Sequence, residues 1–373
     1  MFLGTHSGEW VNGQGTNIMN FPVFKTKVDG INRKFDLINP EDIKDYFELK
    51  AGPEIKKIRE YLEGGGSFVA YFLGKKNSGK GTYAKMFAEV VSPEMIEHFS
   101  IGDMVRKIDE ELADPQKKQE LVSFLGNNYR GRFSLNEIIS FLEKRNTKVL
   151  LPTELILALV KRELERKERK ALFIDGFPRD LDQISYSLFF RDLIGYREDP
   201  DIFILINVPD SVIDERIKGR RVCPLCQTSR NLPLLPTSKV GFDKKKQEFY
   251  LLCDNPKCKE VPLKRKEGDE FGIKPIQERL KLDDKLIEMA FLLHGVPKIL
   301  LRNTVPKKGA GDFIDDYEIT PQYEFEWDES LKTIKRIEKP WVVLDENGEE
   351  IFSLLAPPVL VSLIKQMVEV LNL

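Results

Sequence analysis

The chain has 373 residues, 41% apolar and 32% charged, with 58 Lys+Arg against 60 Asp+Glu for a formal net charge of −2. That length holds one large domain or two modest ones, and the near-neutral balance argues against a nucleic-acid or membrane-surface binder. The first residues carry no basic region followed by an apolar core, and no apolar run reaches about 18 residues, so neither a signal peptide nor a transmembrane helix is expected and the cytoplasm is the expected location.

In chain order, residues 1–20 are rich in Gly and Asn and are expected to be loosely attached. Residues 39–63 read as two short amphipathic helices, opened by Asn39 or Pro40 and closed by Gly64-Gly65-Gly66. Residues 68–73 are continuously apolar, the pattern of a strand buried on both faces. The loop that follows, GKKNSGKGT, places Gly74, Gly79 and Lys80 in a G-x-x-x-x-G-K pattern. Small residues let backbone N–H groups converge on an anion, the next helix points its positive end there, and a lysine adds a mobile charge for the β- and γ-phosphates of a nucleotide. Gly74, Asn77, Ser78, Gly79, Lys80, Gly81 and Thr82 are therefore the expected ATP-binding loop. Asn77 tolerates a left-handed backbone better than most residues. Gly81 stands where the common motif has the Ser or Thr whose hydroxyl meets Mg2+.

Further along, 170–177 and 200–209 read as buried strands and 340–345 as another, separated by helical patterns at 153–170 and 211–221, with an amphipathic helix at 357–371. Such alternation implies an α/β fold on a parallel sheet. The charge run 161–170 reads as a solvated helix face, and the acidic, aromatic stretch 311–329 as a surface hairpin without chemistry. The three histidines, His6, His98 and His294, are scattered, which argues against a histidine base or a histidine-rich metal site.

All four cysteines fall within 36 residues. Cys223-x2-Cys226 and Cys253-x4-Cys258 form two close pairs, the arrangement that suits tetrahedral Zn2+. A redox pair would account for the first two and leave the second two unexplained; another metal such as iron, or free cysteines, are the remaining readings. Four protein ligands leave no open position, so such a metal is structural.

Several segments, in order, carry a resemblance: GKGT at 79–82, FSIGDMVR at 99–106, LLPTELILALV at 150–160, IDGFPRDLDQ at 174–183, VPDSVIDERIKGRRVCPLC at 208–226 and IQERLKLDD at 276–284. Together they resemble the adenylate kinases with a zinc-type lid, over about 67–300 and again over 340–373. The resemblance implies a P-loop NTPase-type three-layer fold with a parallel sheet, a monophosphate-binding helical region and a zinc-containing lid. It divides the chain into an N-terminal extension (1–66), a catalytic domain (67–373), a monophosphate-binding insertion (100–160), a lid (220–272) and an extra insertion (305–338). It further implies Mg2+-dependent transfer between ATP and a nucleoside monophosphate, AMP foremost (ATP + AMP = 2 ADP). UMP or CMP as acceptor, or a silent nucleotide-responsive binding module, are the alternatives. No nucleic-acid or membrane partner is expected, and a monomer is.

Lys80, Arg106, Arg179, Arg220, Arg265, Arg279 and Asp175 are the expected catalytic set, with Arg221 able to replace Arg220. Phosphoryl transfer needs positioning and charge neutralisation more than proton chemistry, which five guanidinium groups supply. Asp175 ends an apolar strand at its carboxyl end, where a carboxylate can organise Mg2+ through water. Ile101, Arg106, Leu151, Gly176, Phe177, Arg179, Gln183, Arg265 and Arg279 are the implied monophosphate site. The resemblance gives Gln183 the adenine of AMP, and on a helix starting at Arg179 the two would share a face. Ile101 departs from the Thr usual there. Asp269 or Glu270 is expected to secure the closed lid.

Overall fold

The computed structural model describes residues 21–373 apart from 32, 145–150, 180 and 197. The expectation of a loose 1–20 lies outside the described residues. Helix α1 (Pro40–Glu63) precedes the first strand, β1 (Val69–Gly74), and the loop then runs into α2 (Lys80–Val91). After β2 (Ile96–Ser100) come four helices, α3 (Ile101–Leu112), α4 (Pro115–Asn128), α5 (Leu135–Glu143) and α6 (Thr153–Glu165). β3 (Ala171–Asp175), α7 (Leu181–Leu193), β4 (Asp201–Asn207) and α8 (Asp210–Lys218) follow. Two short hairpins, β5 (Arg220–Val222) with β6 (Ser229–Asn231) and β7 (Val240–Asp243) with β8 (Glu248–Leu251), lead to α9 (Gln277–Leu292). The chain ends through β9 (Lys298–Arg302), β10 (Thr304–Pro306), β11 (Pro321–Asp328), β12 (Thr333–Pro340), β13 (Val342–Leu344), β14 (Glu350–Ser353) and α10 (Ala356–Leu371).

The central sheet is wholly parallel, in the order β2-β3-β1-β4-β9. Strand alternation explains why its three central strands, β3, β1 and β4, are apolar almost throughout. Phe68, Ala70 and Phe72 point into a core shared with α1, α2 and α10, whereas Val69, Tyr71 and Leu73 point into a second core built by α3–α7 and α9. Helix, sheet and helix make the three layers, an α/β fold of the P-loop NTPase type. Two of the five strands are less apolar: β2 carries Glu97 and His98 within it, and β9 has Lys298 and Arg302 at its ends. They are the sheet's edges, and buried residues are interrupted there by half-buried ones, so the partial exposure admits His98, Lys298 and Arg302. The stretch at 340–345 forms a strand but not in this sheet. β13 joins an antiparallel unit, β10-β14-β13, beyond the β9 edge.

α1 is two helices meeting at a kink, as its sequence implies. Ala51 has non-helical angles (φ −150°, ψ 16°) just before Pro53, whose ring cannot continue the ladder. The Asn39 side chain accepts from Glu41 N, and Gly64 ends the element. The helices expected at 153–170 and 211–221 stop earlier, at Glu165 and Lys218; Gly219 caps the second. The charge run is not all solvated. Arg162 is 3% exposed and pairs with Glu111 of α3 at 2.6 Å. The region 311–329 continues into a real hairpin, β11 with β12, eight residues a side.

Candidate active site

Register places the chemistry on one edge of the sheet. Phe72 of β1 lies opposite Asp175 of β3, and Ser100, the last residue of β2, lies opposite Asp175 as well. The β1–α2 loop, Asp175 and the start of α3 therefore share the carboxyl edge, where an open parallel sheet forms its ligand crevice.

The loop's backbone follows from its residues. Asn77 (φ 68°) and Gly79 (φ 102°) are left-handed, and Ser78 N donates to Lys75 O at 3.0 Å. A Cβ on Gly74 would stand 2.7 Å from Ser78 Oγ and 3.1 Å from Ile206 Cβ, so only glycine lets the loop lie against β4. Ser78 is fully buried, while Thr82 is exposed on the first turn of α2. Lys80 arches back over the loop, donating to Gly74 O (2.8 Å) and Lys75 O (3.0 Å). Burial lowers its pKa, partly offset by Asp175 and Asp283. Lys75, in contrast, is tied outward to Asp210 (2.6 Å) and Asp284 (3.3 Å). Burial works against its charge, but those carboxylates outweigh it and raise its pKa.

Around this loop the positive charges gather. Arg179 Nη2 and Arg106 Nη1 would be 3.5 and 3.6 Å from a Cβ on Gly102, so the two guanidinium groups flank one point at the start of α3. Arg279 Nη1 donates to Arg179 O at 3.3 Å. Burial, with Arg279 and Arg106 as repelling neighbours, lowers the Arg179 pKa against the pull of Asp175 and Asp283. Burial tends to raise Asp175, but His98 (3.9 Å away) and Lys80 more than compensate and hold its carboxyl below the usual range. A Cβ on Gly81 would be 3.8 Å from Asp175 Oδ2 and 3.5 Å from His98 Cε1. The position lacking a hydroxyl thus abuts the carboxylate expected to take over that role. Arg106 is exposed and pairs with Asp103 one turn earlier.

The remaining expected residues divide. Arg220 makes a bidentate pair with Asp269 (2.7 and 2.5 Å), and with Lys266 it bears electrostatically on loop residue Lys76. Arg265 does not join the cluster; it is exposed, with Arg221 as its charged neighbour, and Arg221 itself donates to Arg220 O (2.8 Å). Glu270 is exposed and Asp269 is the buried partner of the pair. Gly176 (φ 89°) and the cis Phe177–Pro178 bond turn the chain after β3, with a Cβ on Gly176 reaching 3.0 Å from Arg179 Nη2. α7 starts at Leu181, so Arg179 and Gln183 share no helix face; instead Arg179 N donates to Gln183 Oε1 at 2.8 Å. Ile101 (3% exposed) and Phe177 lie within the second core and Leu151 packs against it.

Four groups in the site were not anticipated. Asp283, 5% exposed in its side chain, pairs with Arg279 (2.8 Å) and accepts from Lys76 N (3.0 Å), stapling α9 to the loop. Its signal was the i, i+4 Arg–Asp spacing on one helix. Arg216 reaches Asn77 O at 3.5 Å, one turn before Arg220. Lys75 and His98 gave no signal beyond their proximity in sequence to the loop and to Ser100.

The four cysteines are free, and their sulfur atoms all lie within 4.8 Å of one another, Cys226 and Cys253 at 3.6 Å. Tetrahedral Zn–S bonds of about 2.3 Å imply sulfur–sulfur spacings of about 3.8 Å, so this cluster can hold such a metal. Without a metal the thiols split their charge: hydrogen bonds from Thr228 lower the Cys226 thiol, while burial and the neighbouring sulfurs push Cys258 up. Leu251 and Leu263 are the apolar residues buried with these sulfurs, a core too small to order a flap alone. Among the described residues, no helix is long and apolar enough to cross a membrane.

No family model matches the chain. It is 32% identical to the adenylate kinase of Clostridium novyi (strain NT) over 215 residues, 57% of this chain and 80% of that protein. It is 32% identical to the adenylate kinase of Thermotoga petrophila over 200 residues (53% and 73%) and 29% identical to that of a Hydrogenobaculum species over 214 residues (57% and 82%). A cluster of cationic side chains on the carboxyl edge of a parallel sheet, a four-cysteine cluster and these similarities converge, and the chain belongs to the adenylate kinase family.

Proposed function

We propose that this nucleoside monophosphate kinase catalyses the reversible, Mg2+-dependent reaction ATP + AMP = 2 ADP. The observation that carries the reading is the convergence of Lys80, Arg106, Arg179 and Arg279 with Asp175 around the β1–α2 loop. The loop amides and Lys80 take the ATP phosphates, and Arg106 and Arg179 take the acceptor phosphate on the far side of Gly102. Arg279, held by Asp283, sits between them and neutralises the transferring group; Arg220 joins from the lid. Arg265 would have to approach on lid closure, since it stands apart here. Mg2+ supplied with ATP would neutralise part of the phosphate charge. Asp175, kept ionised and facing Gly81, is the carboxylate that would orient it through water. Closure excludes the water that would otherwise accept the phosphoryl group. Cys223, Cys226, Cys253 and Cys258 would hold a structural Zn2+ in the lid at 220–272, within a catalytic domain of 67–373. The monophosphate region (100–160), the N-terminal segment (1–66) and the insertion (305–338) complete the organisation.

A pyrimidine acceptor is the second reading, favoured by one observation: Ile101, at the start of α3, is buried and offers a base no hydrogen bond. A panel of AMP, UMP, CMP and GMP with Mg-ATP, followed by nucleoside diphosphate formation, decides. Higher kcat/KM with AMP supports the first reading; transfer to UMP or CMP in preference to AMP replaces it; no transfer to any acceptor leaves a nucleotide-binding module.

A further inference from the structure

The β11–β12 hairpin is rooted at one end and grips the lid at the other. At its root, Trp341 N donates to Thr320 O (3.0 Å), Thr320 N to Ser353 O (2.7 Å) and Leu354 N to Asn303 O (2.8 Å), directly after edge strand β9. Just upstream, buried Glu318 accepts from Thr26 Oγ1 and Tyr46 OH, while Lys50 of α1 pairs with Asp315 at 2.7 Å. The hairpin's base is thus fixed to the body of the protein. Its outer half lies on the lid. Trp327 stacks on Phe242 of β7 (centroids 5.1 Å, planes 16° apart), Phe325 meets Phe249 of β8 (5.7 Å), and Lys244 sits 4.9 Å over the Trp327 ring. Tyr323 N donates to Pro233 O at 2.7 Å, and Lys244 reaches Glu329 at 3.5 Å. A lid joined to the core only through its two chain ends could swing freely; this one has a third attachment.

We propose that the hairpin is a strap that limits how far the lid swings from the phosphate loop before nucleotide arrives, leaving the last step of closure to ATP, with Trp327 and Phe325 as positioning residues for the β7–β8 part of the lid. The inference rests on the reading of 220–272 as the lid of an ATP site. A protein whose binding-competent lid position is already populated binds ATP without first having to order the flap, so its apparent affinity is higher. The ring contacts of the strap's outer half are with β7, β8 and Lys244 of the lid, so its effect is expected on ATP.

The test compares wild type with Trp327→Ala and Trp327→Phe, in steady-state kinetics and in amide hydrogen exchange of β7 and β8 without nucleotide. For Trp327→Ala the ATP KM rises about five- to tenfold, with kcat and the monophosphate KM within about twofold, because only lid preorganisation is lost. Exchange in β7 and β8 accelerates, and Trp327→Phe, which keeps a ring on Phe242, restores both. If Trp327→Ala does not fold, Lys244→Ala, at an exposed position, removes the cation and the Glu329 pair and carries the same expectation at about twofold. An unchanged ATP KM, a fall in kcat with both KM values moving together, or unaltered lid exchange overturns the strap. Should wild type transfer nothing from ATP, the functional reading fails while the exchange measurement still decides the strap.

Discussion

Asp283 is the residue whose loss tests the site most directly. Its side chain is 5% exposed and serves two cationic or polar partners at once, the Arg279 guanidinium at 2.8 Å and the Lys76 backbone N–H at 3.0 Å. Burial raises its pKa, so ionisation here is maintained against desolvation by Arg279 and Lys80. Asp283→Ala removes two hydrogen bonds involving a charged group and leaves their donors facing an emptied, water-poor position. At about 1.5–3 kcal/mol for each such bond, discounted because Arg279 is one-third exposed, the cost is about 2–4 kcal/mol. Asp283→Asn keeps an acceptor for Lys76 N and sheds the carboxylate's desolvation, so about 1 kcal/mol is expected. Turnover should separate the variants differently. Both release Arg279 from its counter-ion, so both lose about tenfold or more in kcat, whereas only the alanine lowers stability markedly. Urea unfolding monitored by circular dichroism and a coupled ADP assay give the two numbers. Wild-type stability and turnover within twofold for Asp283→Ala would refute the assignment of Asp283 as the staple between α9 and the phosphate loop.

Lys80→Met should reduce turnover about 10²–10³-fold with little change in Tm, because its ammonium bonds only to loop carbonyls; near-normal turnover removes the loop from the mechanism. Metal analysis should find about one zinc per chain, and chelation should lower Tm through the small lid core; metal-free protein that melts as the untreated one does would contradict this. Glu318→Ala strands Tyr46 OH, Thr26 Oγ1 and Asp315 N in a buried setting, while Lys50 keeps Asp315, and should cost about 2–4 kcal/mol in chemical denaturation, against less than 1 kcal/mol if the network is incidental. Asp201 at the foot of β4 is pushed up to about 6 by burial, against the pull of Arg191 at 3.2 Å. Its folded pKa lies above the unfolded value, so its charge costs stability above about pH 6 and that cost fades as pH falls towards 4. Asp201→Asn should therefore raise Tm relative to wild type at pH 7.5, and the difference should shrink by pH 4.5; a pH-independent difference would be inconsistent with the shift.

The central strands, the tight turn of the β1–α2 loop, the place of Asp175 at a strand's end and the clustering of the cysteines were legible because each depends on local chemistry. A strand buried on both faces is apolar at every position, a tight anion loop needs residues such as Gly79 and Asn77, and metal ligands come in short-spaced pairs. Edge strands β2 and β9 escaped notice since an edge tolerates His98 and Arg302. Arg162 looked like surface for the opposite reason, its partner Glu111 lying 51 residues earlier. Convergence of Arg106, Arg179 and Arg279 was readable only through the resemblance, because no local pattern tells an inward arginine from a solvated one. Arg265, an arginine in a similar basic context, stays outside. Asp283 marks the limit of such reading: its helix spacing to Arg279 is ordinary, and its tie to Lys76 spans 207 residues.

The packing of α1 against α10 has a consequence for biogenesis. Ile55, Ile58 and Leu62 of the first helix share a core with Leu360, Ile364 and Met367 of the last, and Lys57 Nζ bonds Leu373 O at 3.1 Å. During translation the early helix leaves the ribosome long before its counterpart exists; about 300 residues at about 5–20 per second is a wait of roughly 15–60 s. Through that interval its apolar side can be covered only in part, by Tyr83 and Phe87 of α2 and by the central strands, and a holding chaperone, or slow codons placed late in the message, would influence how much chain reaches the finished state.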